Sequence, residues 1–282
     1  MLQTFRAEMF KVVRRPAIWI VAAVFLALAQ VFAYLFPYIA YRAGGGSGFG
    51  AGQTAEQLLA DILPARLVPN TLSGFPMFAG AIALVIGGLI AGSEYGWGTL
   101  KTILTQRSGR LAVISGKLLA VLATTTALVV TVFAMNALWS GVIASVESRP
   151  ADWPALGQLA RGVGAGALII GAWGLVGAAM GVLFRSTSLA IGLGLVWALV
   201  IENLVRGFAG ALGFLDAFQK VLPGVNAGSL AASFGAEVQG QPGGTPGVTA
   251  VVNGMHAAIV LLAYVVGLVL LAAVTLRRQD VT

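Results

Sequence analysis

The chain offers few side chains of the kinds that perform catalysis. His256 is its only histidine, and there is no cysteine, which excludes thiol chemistry and cysteine metal sites. Ser47 stands in the run from Gly45 to Gly48, and a serine nucleophile needs a base held beside it. Because this run is flexible and His256 lies in the last apolar segment, the pattern favours a linker and a lone polar residue over a serine enzyme. We expect no catalytic residue and no metal site.

A second short pattern is similar to the end of a phosphate-binding loop. Ser115-Gly116-Lys117-Leu118 supplies the glycine and lysine, but Leu111 stands where a glycine is required five residues before Gly116. No strand is predicted before it. The sequence therefore predicts no ATPase site and no cofactor in this chain.

The polar segment from Ser93 to Lys117 separates two long apolar runs. Leu100, Ile103 and Leu104 follow the i, i+3, i+4 spacing of one helix face. A short amphipathic helix between two spans is either an interfacial anchor or a docking element for a soluble partner. Glu94, at the end of the preceding run, is either a solvated residue beside Arg or Lys or the anchor of this helix.

Composition places the whole chain in a membrane. Of its 282 residues, 58% are hydrophobic and only 10% are charged, whereas a soluble domain carries about a quarter charged residues. The apolar runs lack the alternation of barrel strands, so the spans are predicted to be helices. We expect an all-α integral membrane protein with a single transmembrane domain over residues 1–282.

Six spans are predicted, with three further segments between or before them. Residues 1–16 form an amphipathic surface helix, residues 93–116 a polar region between the second and third spans, and residues 205–249 a long loop with short re-entrant helices. The six spans are expected at about residues 17–40, 75–92, 117–144, 159–184, 189–204 and 250–276.

Charge decides the expected orientation. Six spans put both termini on one side, and that side carries eleven of the Lys and Arg residues against six on the other. By the positive-inside rule, both termini and residues 93–116 are predicted to be cytoplasmic.

A few polar and small residues inside the spans need partners. Glu202 is costly to bury unless paired, and Arg206, one turn on, is the expected partner. Gln30, Asn136 and Asn203 either touch substrate or bond another helix. The pair Gly177 and Gly181 allows close helix approach, either within the chain or at a dimer seam.

The polar region resembles the cytoplasmic region of the type-2 ATP-binding-cassette (ABC) permease family. Those permeases carry a Glu at the inner end of the second span, a Gly-Thr shortly after it and a basic segment before the third. Here these are Glu94, Gly98-Thr99 and Arg107 to Lys117. The six-span layout with an N-terminal surface helix is also similar.

The resemblance implies an exporter permease of a bacterial inner membrane that works as a dimer, with a second copy or a homologous permease. Two separate cytoplasmic ATPase subunits would bind ATP and Mg, and membrane lipid but no nucleic acid would be a partner. The substrate would be amphipathic or hydrophobic, such as a drug, peptide, lipid or natural product. The residues implied in ATPase coupling are Glu94, Gly98, Thr99, Leu100, Ile103 and Leu104.

Two other functions stay open on the sequence. An ATPase-coupled sensor or an envelope assembly factor would use the same docking helix. A secondary transporter would need ionisable residues at mid-membrane. None is found at the span centres, and no internal repeat is evident, which disfavours this third function.

Overall fold

A computed structural model describes residues 2–46, 48, 51–96, 98 and 109–278 of the protein. Within these residues every regular element is helical, apart from an isolated bridge between Gly45 and Thr54. Besides a short 3-10 helix at Pro64–Arg66, the described ranges contain eleven helices: α1 Leu2–Arg14, α2 Pro16–Arg42, α3 Ala55–Ile62, α4 Leu67–Ser73, α5 Phe75–Gly96, α6 Arg110–Val146, α7 Leu156–Phe184, α8 Thr187–Phe208, α9 Gly213–Gln219, α10 Pro223–Ser233 and α11 Gly254–Arg278.

Six helices of the described residues are long and apolar enough to cross a membrane: α2, α5, α6, α7, α8 and α11. The protein is therefore an all-α, multi-pass membrane protein. Each of the six predicted spans overlaps one of these helices. The largest difference is at α6, which begins at Arg110 rather than near Lys117, because the helix continues beyond its apolar run through a lysine whose charge is paired.

Helices α5 and α7 form the centre of the bundle. Burial within the protein reaches 72% in the apolar window of α5 and 67% in that of α7, but only 17% in those of α8 and α11. Glycines permit this central contact, since a Cβ on Gly177 would overlap the carbonyl oxygen of Leu84, and one on Gly87 would overlap that of Gly174. Of the two roles left open for Gly177, packing within the chain is the one observed.

One end of the bundle carries α1, the end of α5, the start of α6 and the end of α11. We call this end the α1 face. The guanidinium of Arg110 donates a hydrogen bond of 3.1 Å to the carbonyl of Arg277, which joins the start of α6 to the end of α11. The connections at residues 43–54, 147–155 and 209–253 lie at the other end, the opposite face.

Short helices fill the opposite face. Thr54 caps α3 in a capping box with Gln57. In the long loop, α9 is largely exposed, whereas α10 packs against α4, α7, α11 and the first turn of α5. Neither α9 nor α10 is long enough to cross a membrane.

A carboxylate fastens α2 to α6 at the opposite face. The hydroxyls of Tyr38 and Tyr41 donate to the two oxygens of Glu147, at 2.7 and 2.9 Å. These hydrogen bonds, assisted by the charge of Arg42, lower the pKa of Glu147.

Candidate functional site

Glu94 lies at the end of α5, and the protein covers it completely. Its side chain is 1% exposed and its carboxylate faces two cations. The ammonium of Lys117 on α6 is 2.6 Å from one carboxylate oxygen, and Lys11 on α1 donates to the other. Glu94 therefore lies beside lysines, as the first of its two expected roles requires, but it is buried rather than solvated.

A second acid completes the set of charges. Glu8 on α1 is buried, pairs with Lys11 one turn later and lies 3.4 Å from the ammonium of Lys117. We name Glu8, Lys11, Glu94 and Lys117 the ionic cluster. It contains two acids and two cations on three helices, so every buried charge in it has a partner of opposite sign.

Arg15, at the junction of α1 and α2, borders the ionic cluster. Its guanidinium donates a hydrogen bond of 3.1 Å to the carbonyl of Leu89 on α5. Burial lowers the pKa of Arg15, and the charges of Glu94 and Glu8 oppose that shift. This contact adds a fixed point between the end of α1 and α5.

Helix α1 contacts the bundle with a side that carries both charged and apolar residues. Glu8 and Val12 are its buried residues, and a Cβ on Gly116 of α6 would lie 2.9 Å from Thr4. Leu2 and Val13, two other apolar residues of α1, are 63% and 54% exposed. The apolar residues of α1 are therefore divided between the bundle and the outside, while Glu8 and Lys11 lock the helix to α6 and α5.

Only two of the six predicted coupling residues, Glu94 and Gly98, are among the residues that the structure describes. Glu94 is in the ionic cluster, and Gly98 is in a turn with a φ of +65°, its N–H donating to the carbonyl of Tyr95 at 3.3 Å. Thr99, Leu100, Ile103 and Leu104 lie outside the described residues. The ionic cluster thus holds the helices on both sides of the segment 99–108.

Of the three polar residues predicted for a substrate path, Gln30 and Asn136 are in contact and Asn203 lies apart. Gln30 on α2 donates to the side-chain oxygen of Asn136 on α6 at 2.9 Å, and Asn136 donates to the hydroxyl of Thr71 on α4 at 2.9 Å. Asn203 lies apart on α8, where it donates to the carbonyl of Leu199 and accepts from Arg206. Gln30 and Asn136 therefore connect helices, the second of the two roles considered for them.

Glu202 is buried in α8, but the predicted pairing with Arg206 is wrong. Its carboxylate accepts hydrogen bonds from the indole of Trp197 at 3.1 Å and from the backbone N–H of Gly224 at 2.8 Å. Arg206 bonds Asn203 instead. Gly224 is in the first turn of α10, so the carboxylate meets the positive end of that helix. A Cβ at Gly224 would overlap the carboxylate, so a larger residue there would displace the Glu202 side chain.

The comparison with protein families gives one match over most of the chain. The model of a family described as a protein of unknown function, DUF2705, matches residues 19–282. The chain belongs to the DUF2705 family. No curated protein sequence matches it significantly.

Glu8 and Glu147 of this DUF2705 protein were not predicted from the sequence to be partners in these contacts. Glu8 was the only acid in the predicted surface helix, and its spacing of three from Lys11 is the signal that marks a pair on one helix side. Glu147 follows α6 directly, and no sequence signal joins it to Tyr38 and Tyr41, which lie more than 100 positions earlier.

Proposed function

We propose that this DUF2705 protein is the membrane-spanning permease subunit of an ATP-driven ABC exporter, energised by separate ATPase subunits. The ionic cluster is the observation that carries the proposal. It ties α1, α5 and α6 together beside residues 99–108, the segment whose sequence is similar to an ATPase-docking helix. A soluble partner that binds there would act on two spans and a surface helix at once.

The physical argument rests on the cost of separating buried charges. Removing one member of a buried ion pair typically costs about 3–5 kcal/mol, so the three helices resist moving apart. Helix α5 in turn packs along α7 in the centre of the bundle through close glycine contacts. A force applied at residues 99–108 would therefore tilt α5 and α6 together and reach the centre through α7.

The finer topology belongs to the same proposal. The excess of cations at the α1 face favours a cytoplasmic location for that face, with both termini on the inner side of a bacterial inner membrane. Helix α1 would lie along the membrane surface on its exposed apolar residues, and α9 and α10 would be re-entrant or interfacial. Two copies, or this chain and a homologous permease, would form the path for an amphipathic or hydrophobic substrate.

Docking variants test the proposal. In tagged permease purified with its partners, Leu100→Asp and Leu104→Asp are expected to abolish ATPase association and substrate-stimulated ATP hydrolysis without removing the permease from the membrane. Leu156→Asp is the matched control, because Leu156 is 84% exposed at the opposite face. Normal association of the ATPase with both docking variants would contradict the proposal, as would equal loss with Leu156→Asp.

Glu202 favours a second candidate, an ion-coupled secondary transporter. A carboxylate buried in a span without a cation in contact is the kind of group that proton-coupled transport uses. Transport by the purified protein in vesicles separates the two. Uptake driven by a pH gradient, without ATP and abolished by Glu202→Gln, supports the second candidate. Transport that requires ATP and the ATPase supports the first.

A further inference from the structure

An apolar groove runs along α6 directly beside α1. It is a shallow, open groove of about 410 Å³, lined by Phe5 of α1 and by Leu119, Leu122, Ala123 and Thr126 of α6. The α6 residues follow the i, i+3, i+4, i+7 spacing, so they form one stripe of the helix. A volume of this size lies in the range of small-molecule and lipid-chain sites.

If the third span begins near Lys117, as the sequence predicts, the groove would lie at the depth of the hydrocarbon core. From Leu119 to Thr126 the stripe rises about 10 Å, out of roughly 15 Å for half of a bilayer core. Phe5 closes the end of the groove nearer the α1 face. The ionic cluster and the close approach of Thr4 to Gly116 hold α1, and with it Phe5, against α6. The groove is therefore a fixed shape, open toward lipid along Leu119 and Thr126.

Charge on α1 selects the kind of occupant. Arg6 follows Phe5 and is exposed, and it lies about 100° farther around α1, on the side away from the bundle. Leu2 and Met9 lie between these two residues on the helix surface, so the flank changes from apolar to basic away from the groove. A surface helix of this kind attracts anionic headgroups, with about 1 kcal/mol for each Arg or Lys near the surface.

We propose that this groove is a binding site for an anionic phospholipid of the leaflet at the α1 face. One acyl chain lies along Leu119, Leu122, Ala123 and Thr126 over Phe5, and the phosphate lies near Arg6. The bound lipid fills the space between α1 and α6 and supports the docked position of α1. The inference requires only a membrane protein with this fold, so it stands or fails independently of the transport proposal.

Native mass spectrometry of the full chain tests this site. The protein is taken from nanodiscs of phosphatidylglycerol or phosphatidylcholine, and bound lipid is counted per chain. We expect one phosphatidylglycerol to remain at energies that remove phosphatidylcholine. Arg6→Gln should lower this headgroup preference about fivefold, as expected for one surface cation, whereas Arg14→Gln, on another side of α1, should leave it unchanged.

Groove-filling variants provide the second arm. Leu122→Trp should remove the retained lipid, and Thr126→Trp, at an exposed position that tolerates a larger residue, provides the same test if the first variant does not fold. Leu262→Trp is the matched control, because Leu262 is 52% exposed on α11 and does not line the groove.

Three results would overturn the site. Retention of lipid by both groove-filling variants would show that the lipid binds elsewhere. Equal retention of the two headgroups would leave only unselective annular lipid. Loss of a dimer by Leu122→Trp, with lipid retention unchanged, would assign the groove to a second copy of the chain.

Discussion

Replacing Glu94 with Gln tests the ionic cluster directly, because it removes one charge and keeps the size of the side chain. Lys117, with a side chain only 3% exposed, would lose its partner at 2.6 Å and keep only Glu8 at 3.4 Å. Breaking a buried pair in this way costs about 3–5 kcal/mol. Lys11 is 30% exposed and can turn toward solvent, so we expect the low end, about 3 kcal/mol.

A single introduced cysteine reports this loss, since the natural chain has none. Val12 is 7% exposed on the bundle side of α1, so Val12→Cys is shielded while α1 is docked. A cost of about 3 kcal/mol shifts the docking equilibrium roughly a hundredfold. Glu94→Gln should therefore increase the rate of maleimide labelling at this cysteine by up to about a hundredfold.

Two further variants make the result specific. Adding Lys117→Gln to Glu94→Gln removes one charge of each sign, so the double variant should recover most of the slow labelling. Glu56→Gln breaks an exposed pair with Arg149 at the opposite face and should leave labelling unchanged. Unchanged labelling with Glu94→Gln alone, or simple addition of the two effects in the double variant, would refute the reasoning.

Three other predictions follow from the packing and from the opposite face. Gly177→Ala should lower thermal stability markedly, because its Cβ would overlap the backbone of α5. Gly164→Ala on the same helix is the control and should be neutral, since its Cβ would meet no atom within 4 Å. Equal melting temperatures of the two variants would contradict the glycine contact. Asn136→Leu should lower the free energy of unfolding by about 1 kcal/mol in a detergent titration. Asn203→Leu should lower it less, because the hydrogen bonds of Asn203 stay within α8. The reverse order would count against an interhelical role for Asn136. The lowered pKa of Glu147 means that its contribution to stability is full above the unfolded pKa, near 4.5, and is lost as the pH falls through the lower folded pKa. Melting temperatures measured below pH 4.5 should therefore fall less steeply for Glu147→Gln, and an identical slope would contradict this assignment.

The helices were predictable because their signals are local. A run of about twenty apolar residues must satisfy its backbone internally, which predicts a spanning helix at each of the six segments. The capping box at Thr54 is equally local, since all of its atoms lie within four residues.

The ionic cluster was not predictable in full because its members come from three helices. Glu8 and Lys117 are 109 residues apart, and the amphipathic pattern of α1 indicates only which residues avoid water. The side of α1 that faces the bundle includes Glu8 and Lys11, charged residues that a membrane-surface helix would ordinarily direct to solvent. Tertiary pairing therefore overrides the local pattern at Glu8.

The hydrogen-bond partners of Glu202 were also not predictable from the local sequence. Arg206 is the partner that helix spacing favours, but α10 folds back and brings the N–H of Gly224 to the carboxylate. The direction in which a short helix returns depends on packing against α4, α5 and α11, which the sequence near Glu202 does not contain.

The most direct test of the proposed function is to purify the tagged chain from its native membrane. Nucleotide is added during purification, and all associated proteins are identified by mass spectrometry. The account predicts a soluble ATPase in stoichiometric amount, with either one or two permease sequences. Recovery of the permease alone from gentle detergent would contradict the proposal that ATP hydrolysis by a separate subunit drives this protein.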